Sequence, residues 1–344
     1  MLAEHVSLLN KTIKHISLLN LYKLAGLLIG VKMEKKVLTF YYAWYGTPWG
    51  PAGKWLGWNA VGYNPDIVVG GRRQIATAEY PLDGVYDSCD EYTLRRHLRQ
   101  AEFAGIDGFI LSWWGFEHYS HKALEKLLNL ALKDFITIYY ETAMTLKLRD
   151  EKREVAIERI YSDLKRLLEE YASKESWIKV DGKPLLVIYI ADQYSVKEWK
   201  YIREKLEKNY EFFLLGDTFD LNYLEVFDGL HIYTPVRYSK RGIPLEDVYL
   251  EVSKKIKEKG KLFASAVCPG YDDRRIRQPG IFIPREDGRY YIDCWKASFK
   301  ASADWILITS WNEWLEGTEI EPSLEYGYNY LYITKIYSKK FKES

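Results

Sequence analysis

The chain has 344 residues, 47% hydrophobic and 28% charged, which is enough for a sizeable core and a charged surface and excludes intrinsic disorder. Lys and Arg number 49 against 48 Asp and Glu, and a net charge of +1 lacks the basic excess of a nucleic-acid binder. Three scattered cysteines (Cys89, Cys268, Cys294) exclude a disulfide framework and a Cys-rich zinc site, whereas 16% aromatic residues supply both core filling and the flat rings a sugar cleft uses.

At the amino terminus, residues 16–31 (ISLLNLYKLAGLLIGV) are apolar and are approached by Lys11 and Lys14. The run has the length of a signal-peptide core, but Asn20 and Lys23 interrupt it and no small-x-small cleavage site stands out. It is too short and too polar for a membrane span, which takes ~20 largely apolar residues. Residues 1–32 are read as an extension, either upstream of a start at Met33 or forming an extra amphipathic helix. The expected location is cytoplasmic without stable membrane association, the alternative being secretion or tethering if the extension is a working signal or anchor. Helices rich in Lys and Glu suit a hyperthermophile.

From residue 37 onward, short apolar runs alternate with longer amphipathic stretches. The runs are 37–44, 107–114, 135–141, 184–192, 212–217, 229–235, 261–270 and 304–314. Their continuous apolar character predicts strands buried on both faces, as in a parallel sheet. Between them, Leu94, Leu98, Ala101 and Ala104 recur at helical spacing before Gly105. Val155, Ile160, Leu164, Leu167 and Leu168 form a stripe over 152–172, and Leu245, Val248, Val252 and Ile256 another over 245–259. Eight strands separated by helices predict one α/β domain over 33–344, a single (β/α)8 TIM barrel, with an open doubly wound sheet as the alternative. The connections at about 45–91 and 269–291 are long, follow strands one and seven, and overhang the carboxyl-terminal face where such barrels place their sites.

The strand ends carry the candidate chemistry. The densest cluster follows the eighth strand, Ser310-Trp311-Asn312-Glu313-Trp314-Leu315-Glu316 and on to Pro322. Glu313 and Glu316, three residues apart where a strand turns outward, can project to one side of a cleft. Close carboxylates in poorly solvated surroundings push one proton affinity up, and one acid then holds a proton while the other stays ionised. Glycoside hydrolysis needs that division. The competing reading is a pair of solvated loop glutamates. Glu319 and Glu321 continue the acidic run and are read as helix-start charge, since acidic side chains suit the positive end of a helix. Glu141 ends an apolar strand, where sugar-hydroxyl binding and a structural ion pair are both open. Trp113 and Trp114 fall on opposite strand faces, so at most one enters a cleft. Tyr42 and Tyr233 stand at strand ends between core and ligand roles. His118 and His121 form an H-x-x-H without a third ligand nearby, so a solvated loop pair is expected and not a metal site. Phosphate-loop, dinucleotide and D-x-D patterns are absent from the sequence.

Seven segments in order resemble glycoside hydrolase family 99, the endo-α-mannosidase and endo-α-mannanase family: 40–48, 53–59, 80–90, 104–115, 267–277, 287–291 and 308–323, the last with N-E-W-x-E-G-T-x-I-E. The resemblance implies a (β/α)8 barrel with no cofactor that cleaves within α-mannosides with retention. By that likeness Glu313 helps the sugar's own 2-hydroxyl attack the anomeric carbon, giving a 1,2-anhydro sugar, and Glu316 protonates the leaving oxygen and then activates water. Tyr42, Trp113, Glu141 and Tyr233 match positions expected to line sugar subsites, and Trp58, Asn312 and Trp314 belong to the matching motifs as further substrate-binding candidates. The implied partner is an oligo- or polysaccharide. One departure is Gly57, where the mannosidases carry a histidine before the tryptophan that is Trp58 here. It keeps an alternative open: a related polysaccharide-biosynthesis glycosyltransferase-like or carbohydrate-binding domain.

Overall fold

The eight barrel strands of the main sheet are parallel and each pairs with its neighbour in sequence, while the short strand Lys179–Val180 joins the sheet antiparallel to Lys183–Ile188. The computed structural model describes residues 34–344, so the extension over 1–32 lies outside the described residues. The strands are β1 (Lys36–Tyr41), β2 (Gly108–Trp113), β3 (Ile136–Tyr140), β4 (Lys183–Ile188), β5 (Phe213–Asp217), β6 (Gly229–His231), β7 (Leu262–Val267) and β8 (Trp305–Ile308). Register runs through Thr39↔Phe109, Leu111↔Ile138, Tyr140↔Ile188, Val187↔Leu215, Gly216↔Leu230, Leu230↔Phe263 and Ala266↔Leu307. β8 returns to β1 at Leu38↔Leu307, which closes the sheet and excludes the doubly wound alternative.

The helices α1 (Glu91–Phe103), α2 (Tyr119–Leu130), α3 (Arg153–Glu170), α4 (Val196–Leu206), α5 (Leu245–Lys257), α6 (Arg289–Lys300) and α7 (Asn329–Glu343) cover the barrel. Local chemistry sets their ends. Asp90 caps α1 by accepting from Thr93 N, and Gly105 (φ +72°) turns the chain beyond it, where a Cβ would meet Ser338 Oγ at 2.5 Å. A capping box of Ser195 and Glu198 opens α4. On α3 the buried stripe is Ala156, Ile160, Leu164, Leu167 and Leu168, while Val155 is 45% exposed. The helix phase that seats Ile160 and Leu164 inward puts 156 rather than 155 under the same face.

Alternation along the strands divides two apolar layers. Phe40 of β1 lies 4.7 Å from the ring of Tyr139 and 5.8 Å from that of His231, although β1, β3 and β6 are not neighbours. Only residues inside the barrel can meet that way. The alternate residues Tyr41, Trp113 and Tyr140 face outward, bonding His97 of α1, His121 of α2 and Asp163 of α3. The ladder stops earlier than the apolar runs imply, at Tyr41 on β1 and Ile308 on β8. Beyond those points the backbone turns outward, and Tyr42 N–H and C=O are held by the amide of Asn312 instead of a strand. Two small antiparallel ribbons order the long loops: Val68–Val69 with Arg72–Arg73, and Tyr271–Asp272 with Phe282–Ile283. Among the described residues no helix is long and apolar enough to cross a membrane.

Candidate active site

Past β8 the chain makes one 3-10 turn, Trp314–Glu316, capped by the Glu313 carboxylate, which accepts from Leu315 N at 3.2 Å. With three residues per turn, Glu313 and Glu316 come to the same side. Ser310 fastens the base of this turn: its N–H donates to Thr318 O, and its Oγ accepts from Glu313 N at 2.7 Å. Glu313 is only 2% exposed. Burial first, then the charge of Glu316, hold its carboxyl well above the usual carboxylate range, against the opposing pull of the Leu315 N–H and Arg277. Glu316 is more open; its Oε1 pairs with Arg277 Nη1 at 3.0 Å and its Oε2 accepts from Tyr233 at 3.4 Å.

The opposite wall comes from the inward faces of β1 to β6. Glu141, at the end of β3, accepts from Ser112 Oγ at 2.6 Å; burial pushes its carboxyl up to about 8, reinforced by Asp217 and Glu316. Asp217 receives Tyr139 OH at 2.8 Å and Tyr233 N at 3.0 Å. Tyr42 and Tyr233 stand between these acids. Burial chiefly, and then the charge of Glu313 followed by Glu141 and Glu316, raises the Tyr42 hydroxyl, which is therefore a neutral donor beside the carboxylates. A barrel mouth that gathers four acids and several tyrosines binds hydroxyls and moves protons. The sequence profile described as Glycosyl hydrolase family 99 matches residues 32–338. The chain belongs to that family.

Relatives that match most of this chain are themselves longer than it. A glycoprotein endo-alpha-1,2-mannosidase from Rattus norvegicus is 25% identical over 360 residues, covering 89% of this chain and 75% of its own. A glycoprotein endo-alpha-1,2-mannosidase-like protein from Mus musculus is 24% identical over 318 residues, covering 83% and 69%. The solved GH99 endo-alpha-mannosidase from Bacteroides thetaiotaomicron superposes with a TM-score of 0.73 at 25% identity, covering 89% of this chain and 97% of that one. The protein is accordingly a glycoside hydrolase on a TIM barrel.

Several candidates from the family motifs are not cleft residues. Trp113 is fully buried between barrel and α2, donating from Nε1 to His121 at 3.2 Å and stacked near Tyr140. Its neighbour Trp114 has the inward position: Nε1 donates to Ser112 Oγ at 2.9 Å, one hydrogen bond from Glu141, and its ring lies 6.1 Å from Trp44. Trp58 is fully buried under the first long loop, stacked on Tyr45 at 4.2 Å and bonded to Tyr86 O. Asn312 spends its amide on the Tyr42 backbone and Tyr86 OH. Trp314 is buried with Nε1 on Tyr86 OH and Glu321, and Trp311 packs beside His97 and Phe109. Trp314 turns away because the 3-10 turn that brings 313 and 316 together rotates 314 to the far side. Trp58, Trp113, Asn312 and Trp314 thus build the frame that holds the site. Tyr42, Tyr233, Glu141 and the two glutamates line it.

Glu319 and Glu321 are buried, not the exposed helix-start charges that the sequence suggests. Glu321 accepts from His97 Nε2 at 2.7 Å, Tyr86 OH at 2.7 Å and Arg96 Nη2 at 3.2 Å. The H-x-x-H pair is spent on structure: His118 caps α2, and the nitrogens of His121 meet Trp113 and Tyr171. Among the described residues no group of three side chains could hold a metal ion. Sequence reasoning passed over Arg277, Tyr189, Asp217 and Trp44. Arg277 lies within the quoted 267–277 motif, and its charge beside so acidic a site was the available signal. A cleft of about 750 Å3 lies beside the site, lined by Trp44 and Leu315 and by Lys54, Leu56, Gly57, Phe116 and His118. Gly57 has φ +70°, and a Cβ there would meet Tyr45 Cδ1 at 2.7 Å, so the backbone itself forms the wall.

Proposed function

We propose that the protein is a retaining, endo-acting α-mannosidase working through a 1,2-anhydro sugar. The observation that carries the reading is the desolvated Glu313 carboxyl held beside Glu316 at the mouth of β8. The proposed reaction starts with Glu313 as the base and Glu316 as the proton donor. The raised proton affinity of Glu313 makes it, once ionised, a stronger base than a solvated glutamate.

Glu313 takes the proton of the sugar 2-hydroxyl as its oxygen attacks the anomeric carbon. The glycosidic bond breaks and Glu316 gives its proton to the departing oxygen. Glu316, now a carboxylate, then accepts a proton from water as that water opens the three-membered ring, and Glu313 returns its proton to the 2-oxygen. Two inversions leave the configuration unchanged. Tyr42 and Tyr233, neutral donors beside both acids, suit the orientation of the hydroxyls. The mannoside preference rests on the names of relatives at 24–25% identity; the open cleft at Gly57 supports a substrate whose outer sugars differ from theirs.

Product analysis by mass and anomeric configuration on a panel of α-mannans tests the reading: shortened oligosaccharides of retained configuration are expected, and no release from any of them would end it. Glu316→Gln should lose roughly 10²–10⁴-fold in turnover on natural oligosaccharides while still binding them. A Glu313 variant should not be rescued by azide, because no glycosyl-enzyme bond exists for azide to replace; azide rescue with a glycosyl azide product would replace this route by nucleophilic catalysis. The second reading, a polysaccharide-building transferase, is favoured by the altered outer cleft at Gly57 and predicts acceptor-dependent nucleotide release from nucleotide sugars instead.

A further inference from the structure

Glu316 ends a single 3-10 turn, and Gly317 follows in the left-handed region at φ 57°, ψ 37°. One short turn fixes a carboxylate poorly by itself. From the outer side it is gripped by Arg285, which belongs to the loop after β7. Nη2 donates to Gly317 O at 3.2 Å and Nη1 to Glu319 O at 2.9 Å, and Nη2 also meets the Glu319 carboxylate. The residue is 7% exposed, its guanidinium lies 4.7 and 4.6 Å from the rings of Tyr326 and Tyr330, and it faces Glu79 of the first long loop across 3.9 Å. Three loops therefore close on one desolvated cation.

Stability alone is a weak reason for such a group, since buried ion clusters often contribute less than apolar residues of the same volume. Here Glu79 Oε2, Glu319 Oε2 and Arg285 Nε have no hydrogen-bond partner among the described residues, and burial raises both carboxyls despite the cation. What an apolar residue or an ammonium lacks is a planar fork that reads two carbonyls two residues apart.

We propose that Arg285 is a positioning residue: by holding the carbonyls of Gly317 and Glu319 it aims Glu316 into the cleft and keeps it beside Glu313. Its consequence for rate rests on the carboxylate-pair reading above; its consequence for Glu313 does not. Glu313 is faced by Glu316, Arg277, Glu141 and the hydroxyls of Tyr42, Tyr45 and Tyr233. Of these, Glu316 is the one whose place Arg285 governs. Once the grip is loosened, Glu316 recedes, water enters, and the Glu313 carboxyl falls back toward the ordinary range.

The test uses Arg285→Lys, which keeps the charge and loses the fork, and Arg285→Met, which loses both. Glu313 is titrated in full-length protein carrying 13C-labelled glutamate carboxyls, its signal assigned through Glu313→Gln, and kinetics on α-mannan are measured per folded molecule. Expected are a downward shift of the Glu313 midpoint in both variants, a fall in kcat of about tenfold or more, since misplacing a reacting group by about 1 Å costs on the order of 10²-fold, and KM within about twofold. An unchanged Glu313 midpoint in folded Arg285→Lys overturns the proposal, as does wild-type kcat in that variant. If Arg285→Met does not fold, the lysine variant decides. A wild-type protein inert on every α-mannan would fail the functional reading and leave the Glu313 titration to judge Arg285.

Discussion

Arg277 Nη1 lies 3.0 Å from Glu316 Oε1, so a loop that follows the seventh strand supplies the counter-ion of a carboxylate that follows the eighth. The same nitrogen also bonds Asp273 at 2.7 Å and Tyr271 at 2.9 Å, which lock the arginine onto its own loop. The charge reaches Glu313 too, opposing the rise that burial and Glu316 impose.

Arg277→Met should therefore raise the Glu313 proton affinity further. Glu313 must be ionised to take a proton, so the acid limb of kcat/KM moves to higher pH. The side chain is 51% exposed, and solvent screening keeps the shift modest. A loss of kcat/KM that is greatest on the acid side of the pH-rate profile and narrows as pH rises is expected. An acid limb that stays put, or moves down, contradicts the electrostatic role.

Glu141 makes the protein less stable in alkali. Its carboxyl sits at about 8, chiefly through burial, against ~4.3 in an unfolded chain. Both states are protonated below the lower value, where this group costs nothing. Between the two values the unfolded chain releases a proton that the folded chain keeps, so stability is lost progressively and the loss is complete above the higher value. Glu141→Gln, neutral throughout and still able to accept from Ser112, should melt at higher temperature than wild type at pH 9, by at most a few kcal/mol in stability. Thermal melts at pH 4 should coincide; a gap that is as wide at pH 4 points to packing instead.

The two adjacent tryptophans should separate cleanly. Trp113→Ala removes a buried indole from the layer under α2 and should cost about 3–5 kcal/mol in denaturant unfolding, with KM little changed in the folded fraction. Trp114→Ala should leave stability nearly intact and lower kcat/KM on oligosaccharides by about tenfold, equivalent to ~1.4 kcal/mol of lost binding. Reversed phenotypes would place Trp113 in the cleft after all.

Asn312 acts on activity through Tyr42. Its amide accepts from Tyr42 N at 2.7 Å and donates to Tyr42 O at 2.9 Å, standing in for a missing strand neighbour. Asn312→Ala leaves those buried backbone groups unpaired, at about 1–3 kcal/mol each. Asn312→Asp restores the acceptor but not the donors. Melting temperature should fall in the order wild type, Asp, Ala, and activity should follow it. Activity that collapses at full stability would make Asn312 a substrate ligand.

Eight strands were readable because both sides of every barrel strand are buried, which writes a continuous apolar run into the chain, and the spacing of Glu313 and Glu316 named the acidic pair in the same way. Strand-end aromatics were not readable in that manner. Whether Trp113 or Trp114 faces inward depends on the phase in which β2 pairs with β1 and β3, and each indole is equally apolar on paper. The motif residues Trp58, Asn312 and Trp314 carry the family likeness because they build the frame, and recurrence in a motif does not distinguish a frame from a ligand.

The sequence by itself determined the eight buried strands with helices between them, the long loops after strands one and seven and the pair of acids after strand eight, since these follow from local pattern and chain order; closure of the sheet was decided by the pairing of β8 with β1. Tertiary structure alone decided which side chains share the cavity. Arg277 and Arg285 reach the strand-eight turn from another loop, and the charge of Asp217 on β5 acts on Glu141 at the end of β3. A contact between segments far apart in the chain is fixed by closure of the sheet, and proton affinities set by burial exist only once water has been excluded.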